Sequence, residues 1–562
     1  MANLNKNPQH RANLGYSGFA MDKLHKFSST VGELRPVYYD ILNPGDKVSL
    51  SSIIKTRTMP IEAAAMCSLT EHIDWFFVPM TRLYKLFPEF YYGVNDNATS
   101  FVTPSSIQSV YPHFKFGDLL TISSGGKKSS NDDYFGVDGT KYRLFEDLGI
   151  PTKQLIQFYV DGLDNLDNVS CINLFAQAYQ CIYMDKFRLS DWESPDANAY
   201  NVDKYYNTAL MDIPDVAKLF TLRYAPWKKD FFTDIQPTPL FGNGNESSIN
   251  SINYGAVNQW LTSQSGMDVI DPLQTDATNG NQSAVAIGQV ATQAVKSINT
   301  ANIRTIFAVE KLLEITRRAG KHYDKQTLAH FGVDVPMGLD GECIYIGGSS
   351  SKINIGDVIA TSEDGLGKVG GKGYGFGQSG VDKFEAKCHG ILMAIYHCVP
   401  DVDYELQGMD RMNTYLHRVD FFQPEFDDLG MQPLFAYQSQ LSSSPSQNAL
   451  IEGWQYRYKE LKQKFNTVIG SLAGSLKYWT PSIVPYGLGR GSFGARVCSD
   501  FLISPHYLDD IMVTPYHPYV DDTESDAEAY YNKIFNTDPL IHELYLDVKK
   551  ASKMSTYGLP NL

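Results

Sequence analysis

Charge is scarce in this sequence. Asp, Glu, Lys and Arg make up only 20% of its 562 residues. A helical bundle would carry more Glu, Lys, Ala and Leu, so that class is excluded first. Cysteine is scarce as well. The seven residues, at 67, 171, 181, 343, 388, 398 and 498, are odd in number and form no C-x-x-C pair. That argues against a disulfide framework, and a reducing compartment is the simpler expectation. Long apolar runs are missing: the longest, ILMAIY at 391–396, is far too short to span a bilayer. Residues 1–30 lack the apolar segment of a secretory signal. No G-x-S-x-G elbow and no cysteine-protease signature occurs, so no nucleophile for catalysis is evident.

Aromatic residues are abundant, with 35 Tyr and 30 Phe. With many Gly, Asn and Ser, they suit a β-rich, loop-rich chain with wide contact surfaces. The net charge of −15 argues against nucleic-acid binding by the chain as a whole. Its distribution is uneven, however. Residues 1–35 carry Lys6, Arg11, Lys23, Lys26 and Arg35 against Asp22 and Glu33, a local balance of +3. No Lys or Arg occurs between Lys229 and Lys296, and residues 243–300 are rich in Asn, Ser, Thr, Gln and Gly. Such a segment reads as an exposed elaboration of a folded body.

Several elements are legible. The sequence predicts two extended segments around the turn Asn43-Pro44-Gly45-Asp46, and a strand over 67–80. A short helix at 81–93 should break at Pro88. Apolar spacings of three and four predict helices near 170–188 and 302–319. Strands are expected at 386–406 and 495–505, and an irregular arm over 1–35. Short strands joined by long loops suggest a β-sandwich or jelly roll with large insertions.

Three stretches imitate chemical sites. In CHGILMAIYHC (388–398) the two histidines are eight residues apart, roughly 26 Å on a strand, too far to share one metal ion. GLGKVGGKGYGFGQSG (365–380) lacks the G-x-x-x-x-G-K-[ST] pattern of a phosphate loop and reads as a glycine loop before a strand. DDTESDAEAYYNK (521–533) has Ala527 and Lys533 where a calcium loop needs Gly and Glu. A fourth, HRVDFFQPEFDDLG (417–430), sets His417 among four carboxylates. It reads as an incoming strand ended by Pro424, then a turn closed by Gly430. Phe421, Phe422 and Phe426 are expected as buried anchors, with Glu425 and Asp427 in an interface or its scaffold.

Two features fit binding or assembly better. Lys6, Arg11, Lys23 and Lys26 could lie along phosphates, or simply belong to a leader. In RYAPWKKDFFTD (223–234), Arg223, Trp227, Lys228 and Lys229 interleave charge with rings, a pattern that holds single-stranded nucleic acid. The same segment also reads as a buried aromatic anchor with snorkelling lysines.

In order along the chain, FSSTVGELRPVYYDILNPGDK, DWFFVPMTRLYKLFPEFYYG, NLFAQAYQCIYMDKFR, RYAPWKKDFFTDIQPTP, the stretch at 417–430, WQYRYKELKQKFNTVIGSL and YGLPNL resemble the major capsid proteins of the Microviridae, on their gokushovirus-like side. The resemblance implies a mainly β protein: a single viral jelly roll, an eight-stranded antiparallel β-barrel, with large loop insertions containing a few helices. It implies a non-enzymatic subunit without cofactor or metal, assembled in the bacterial cytoplasm into a T=1 icosahedral virion around circular single-stranded DNA. Residues 1–35 would be an interior arm, and 36–242 and 301–562 the shell domain. Residues 243–300 would be an outward insertion at the threefold axis. Implied partners are copies of the chain, the packaged DNA, a small DNA-binding protein, a pilot protein and a host receptor. A host-recognition β protein, or a carbohydrate-active β-sandwich using Glu425 and Asp427 as paired acids, are the competing readings.

Overall fold

The computed structural model describes residues 15–92, 111–116, 141–151, 169–197, 199–202, 213–238, parts of 311–333, 342–359, 369–427, 430–485, 501–513, 538–554 and 556. The expected helix at 302–319, the polar segment 243–300 and the acidic stretch 521–533 lie wholly or largely outside them.

In chain order the strands are β1 (Ser17–Ala20), β2 (Lys23–Ser29), β3 (Arg35–Leu42), β4 (Lys47–Thr58), β5 (Leu69–Pro79), β6 (His113–Lys115), β7 (Ser170–Ile172), β8 (Ile344–Ile359), β9 (Val369–Gln378), β10 (Asp382–Glu385), β11 (Gly390–Pro400), β12 (Tyr404–Glu405), β13 (Met431–Phe435), β14 (Ile451–Tyr456), β15 (Thr467–Val468) and β16 (Leu540–Ser552). Ten of them form one antiparallel sheet in the order β1-β16-β4-β9-β8-β5-β11-β3. Here β2 follows β1 along the edge of β16, and β10 also pairs with β4.

Each strand's pattern matches its place. In β16 alternate residues Leu540, His542, Leu544, Leu546 and Val548 are buried, the period-two signature of a half-solvated strand. β11 is buried along nearly its whole length, as a strand covered on both faces must be. One cover is the helix Leu174–Ile182, extended by a π turn over Tyr183–Phe187. Phe187 stands edge-on to His397 of β11 at 5.4 Å.

The sheet curls until its ends meet. β16 and β3 are far apart in strand order, yet the buried Lys550 donates to Asp40 Oδ2 at 2.9 Å and to the Ile41 carbonyl at 2.8 Å. Lys23 on β2 donates to the Val37 carbonyl on β3 at 3.1 Å. Among the described residues no backbone ladder joins β2 to β3. The wall is a half-barrel closed by side chains. Across its inside, Ser29, His542, Thr56, Glu71 and Ser351 form a hydrogen-bonded chain with steps of 2.8, 2.9, 2.5 and 2.7 Å. Thr56 donates to Glu71, so His542 Nδ1 donates to Thr56 and its Nε2 accepts from Ser29.

The seam is sealed by buried charge. Arg35 donates to Asp147 through Nε and Nη2 at 2.5 and 2.8 Å, and to Glu33 at 3.3 Å. Arg143 donates to both Glu33 oxygens at 2.7 and 3.0 Å, and to Asp538. All five residues are buried. The cluster ties the β2–β3 connection to the helix Lys141–Asp147 and to the residues leading into β16.

Four expectations need correction. The stretch 1–35 is not irregular from Ser17 onward: β1 and β2 extend the sheet, because the edge of β16 offers them a ladder. The glycine stretch is strand β9 itself. Its glycines alternate on the buried face, where a Cβ at Gly371 would lie 2.2 Å from the Ala63 carbonyl oxygen and one at Gly373 2.4 Å from Thr58 Cγ2. Residues 501–505 form no strand beyond one isolated bridge, Pro226 to Leu502. Pro88 breaks no helix; it sits in the first turn of Phe87–Tyr92, after the short helix Met80–Leu83.

Replacing Arg143 with Met removes a charged partner from two buried carboxylates, Glu33 and Asp538. It should lower unfolding stability by about 3–5 kcal/mol in chemical denaturation; a loss under about 1 kcal/mol would show the cluster to be dispensable. Burial also holds the His542 pKa down to about 3 from 6.5. A depressed histidine withdraws stability as pH falls below 6.5. The stability gap between the native chain and His542→Gln should therefore narrow by about 2 kcal/mol between pH 7.5 and pH 5. Glu71, raised by burial, has the opposite sign but is common to both proteins.

Candidate assembly surfaces

Beside the curled sheet lies a lobe built from residues 402–485. Its core is Phe231, Phe232, Ile235, Tyr404, Leu434 and Phe501. The ribbon β13–β14 and the parallel pair β12–β15 frame it. Lys459 is buried there, bonding the Asp230 carbonyl at 3.1 Å and Asp234 Oδ2 at 3.0 Å. Burial lowers its pKa, against the pull of Asp234. Glu460 accepts from Tyr415 and Gln432, both at 2.6 Å.

The stretch at 417–430 lies on this lobe, and no strand forms at its start. The Asp420 carboxylate accepts from the backbone N–H groups of Leu416 and His417 at 3.0 and 2.7 Å and closes the 3-10 turn Arg418–Asp420. That local bond wins over strand alternation. Pro424 opens the helical turn Pro424–Asp427 instead of ending a strand. Gly430 has a φ of +86°, and residues 428–429, where the expected turn falls, lie outside the described residues.

Phe421 and Phe422 are not buried anchors: they are 57% and 51% exposed. Phe421 is edge-on to Tyr415 at 5.4 Å, and Phe422 edge-on to Tyr458 at 5.3 Å. Phe426 is half-buried, with the Arg457 guanidinium 5.8 Å from its ring centre. Asp427 accepts from Lys462 at 2.6 Å, and Glu425 is exposed. Neither acid has the apolar burial that tunes a catalytic carboxyl. Leu416 is 82% exposed, and Leu406, Leu441, Leu450, Leu461 and Ile469 are exposed on the same lobe. Single exposed apolar residues are ordinary, but so many on one lobe are unusual for a surface left in water. The sequence reading missed these residues. The available signal was Leu416 and Phe421–Phe422 recurring without strand or helix period beside charged neighbours.

The nucleic-acid candidates scatter. Lys6 and Arg11 lie outside the described residues. Lys23 is half-buried on the seam, its pKa lowered by burial. Lys26 is exposed, 3.9 Å from Glu543. Arg223 lies 4.9 Å from the centre of the Tyr183 ring and bonds Gln180 at 2.9 Å and Asp196 at 3.3 Å. Trp227 is buried edge-on to Tyr507 at 5.1 Å. Lys228 and Lys229 are exposed, Lys229 lying 3.4 Å from Asp234. Arg223 and Trp227 thus pack at separate contacts within the fold, and Lys228 and Lys229 are exposed beside Trp227. Cys388 and His389 lie in the bend just before β11, and His397 near its far end, stacked on His72 at 4.9 Å. Among the described residues no cluster of three or more His, Cys, Asp or Glu is placed to hold a metal.

A β wall whose seam carboxylates are paired, beside a lobe with many exposed apolar side chains, has the make-up of a structural subunit. Comparison with known proteins gives the class its particulars. The family described as Capsid protein (F protein) matches residues 13–140 and 153–483, and the chain belongs to it. It is 24% identical over 549 residues to the capsid protein VP1 of Chlamydia phage 1, covering 82% of this chain and 86% of that one. It is 22% identical over 581 residues to the capsid protein VP1 of Bdellovibrio phage phiMH2K, covering 94% and 92%. The chain is thus a phage capsid protein of the virion, of the gokushovirus-like Microviridae, and not an enzyme.

Changing Phe421 and Phe422 together to Ser should leave the stability of the isolated chain within about 1 kcal/mol, since both rings are half in solvent. Particle yield by sedimentation should collapse. Full particle yield from the double variant would remove the lobe from the assembly surface.

Proposed function

We propose that the chain assembles with copies of itself into a T=1 icosahedral shell enclosing a circular single-stranded DNA genome. The observation that carries this reading is the exposed apolar lobe on a chain whose family match runs through both the sheet and the lobe. Specific subunit contacts bury about 800 Å² on each partner, and at roughly 25 cal/mol per Å² of apolar surface several such contacts hold a shell. Sparse charge suits them, because an unpaired charge in a contact is costly.

The curled sheet supports a jelly-roll wall in which the seam completes an eight-stranded barrel. In this reading the shell domain comprises 36–242 and 301–562, and residues 1–35 face the interior. Residues 243–300, without Lys or Arg, form the outward loop that meets a host receptor. A small DNA-binding protein and a pilot protein join the virion, and assembly takes place in the bacterial cytoplasm. Competing readings fare worse: the acids a carbohydrate-active protein would need are one exposed and one engaged by Lys462.

Electron microscopy of the expressed chain should show small isometric particles of one diameter. Deleting 243–300 should leave the particles and abolish host attachment. A chain that stays monomeric under all assembly conditions overturns the proposal.

A further inference from the structure

We propose that the outer face formed by β2, β16, β4, β9 and β8 is a binding surface for single-stranded nucleic acid. The inference deepens the reading above and rests on it for the identity of the strand.

Strand β9 has an inverted polarity. An ordinary half-solvated strand points its large apolar residues inward. In β9 the inward positions are glycines, and the outward ones are Lys372, Tyr374, Phe376 and Gln378. Tyr374 and Phe376 are 50% and 52% exposed. Neither ring serves the core, and both face the same way, about 7 Å apart along the strand. Exposed rings two residues apart on a sheet provide a platform on which successive unpaired bases stack, whatever their sequence.

The charge around the rings agrees. Arg57 lies directly across from Tyr374, and Lys55 from Phe376. Lys26 stands in the same row beyond Glu543, and Lys352 and Lys372 complete the field. Among the described residues, Glu543 lies 3.9 Å from Lys26 and 3.8 Å from Lys55, and Asp547, two outward positions further along β16, is matched by Lys549 at 3.2 Å. A chain of net charge −15 therefore turns a net positive patch outward at its two most exposed sheet aromatics. A polyanion with free bases complements that combination; an acidic copy of the same chain offers charge but no stacking bases. The remaining part of this sheet face, over β5 and β11, is occupied by Phe187 and its helix.

The probe is a fluorescein-labelled thymidine oligonucleotide titrated into the full-length chain before assembly. Tyr374→Ala with Phe376→Ala should weaken binding by about tenfold or more per ring, and Phe376→Trp should retain it. Lys55→Ala with Arg57→Ala should reduce the slope of log affinity against log salt by about 0.7 per charge removed. Glu543→Gln should tighten binding. Particles of the ring variant, counted by microscopy, should form with reduced nucleic-acid content. Unchanged affinity and salt slope overturn the proposal. If particles are lost while affinity is unchanged, the face is a contact between copies. Loss of particles from the native chain would overturn the shell reading and leave the titration to judge this surface by itself.

Discussion

The pairing of Arg35 and Arg143 with Glu33, Asp147 and Asp538 is the interaction on which the rest of the wall depends. An antiparallel sheet of this width must either expose its edges or bring them together. Here, among the described residues, the edges meet without exchanging backbone hydrogen bonds, so side chains carry the closure. Five buried charges are costly to desolvate, and their attraction offsets that cost only where each is multiply bonded. The geometry meets that condition, with both arginines reaching two acids each. Lys550 and the chain through His542 and Glu71 add neutral and charged links across the same interior. These links fix which strands face one another, and thereby which surfaces look outward.

Two kinds of surface result. The lobe presents apolar side chains over a small aromatic core, anchored by buried Lys459 and Glu460. The uncovered part of the sheet presents bases and rings. Sparse charge overall does not mean uniform charge: the acids and bases are sorted, and the fold does the sorting through strand register. One residue of slip in β4 would turn Lys55 and Arg57 inward and Ile54 and Thr56 out.

The parts of this architecture that could be read from sequence were those with a strong period or a turn residue. β4, β5 and β11 and the helix after residue 170 follow from alternation, apolar runs and three–four spacing. β3 and β4 lie on either side of the Asn43–Asp46 turn, as its residues predict, though they do not pair with each other. β16 was not anticipated, although its alternation is regular; β8 and β9 were obscured because Gly and Ser replace the usual strand formers. For β9 the missing information was tertiary: glycine is required only because Ala63 and Thr58 press against the strand from elsewhere in the chain. The same holds for sites. Trp227 and Arg223 carry a binding-like pattern locally, and only the folded chain reveals that they pack against Tyr507, Gln180 and Tyr183. For Phe421 and Phe422 the error ran the other way, since apolar character alone does not tell a core from a surface awaiting a partner.

The glycine lining of β9 has a further consequence for how such a wall varies. A strand that contributes only backbone to the interior is uncoupled from the packing beneath it. Its outward residues can change in size, ring character or charge while the core volume stays constant. Elsewhere in the sheet an outward change is free only if the inward neighbours on the same strand hold their places. From Gly371 to Gly377 there are no inward side chains to disturb, so this stretch of β9 is the part of the wall where surface chemistry can be retuned at least cost to the fold.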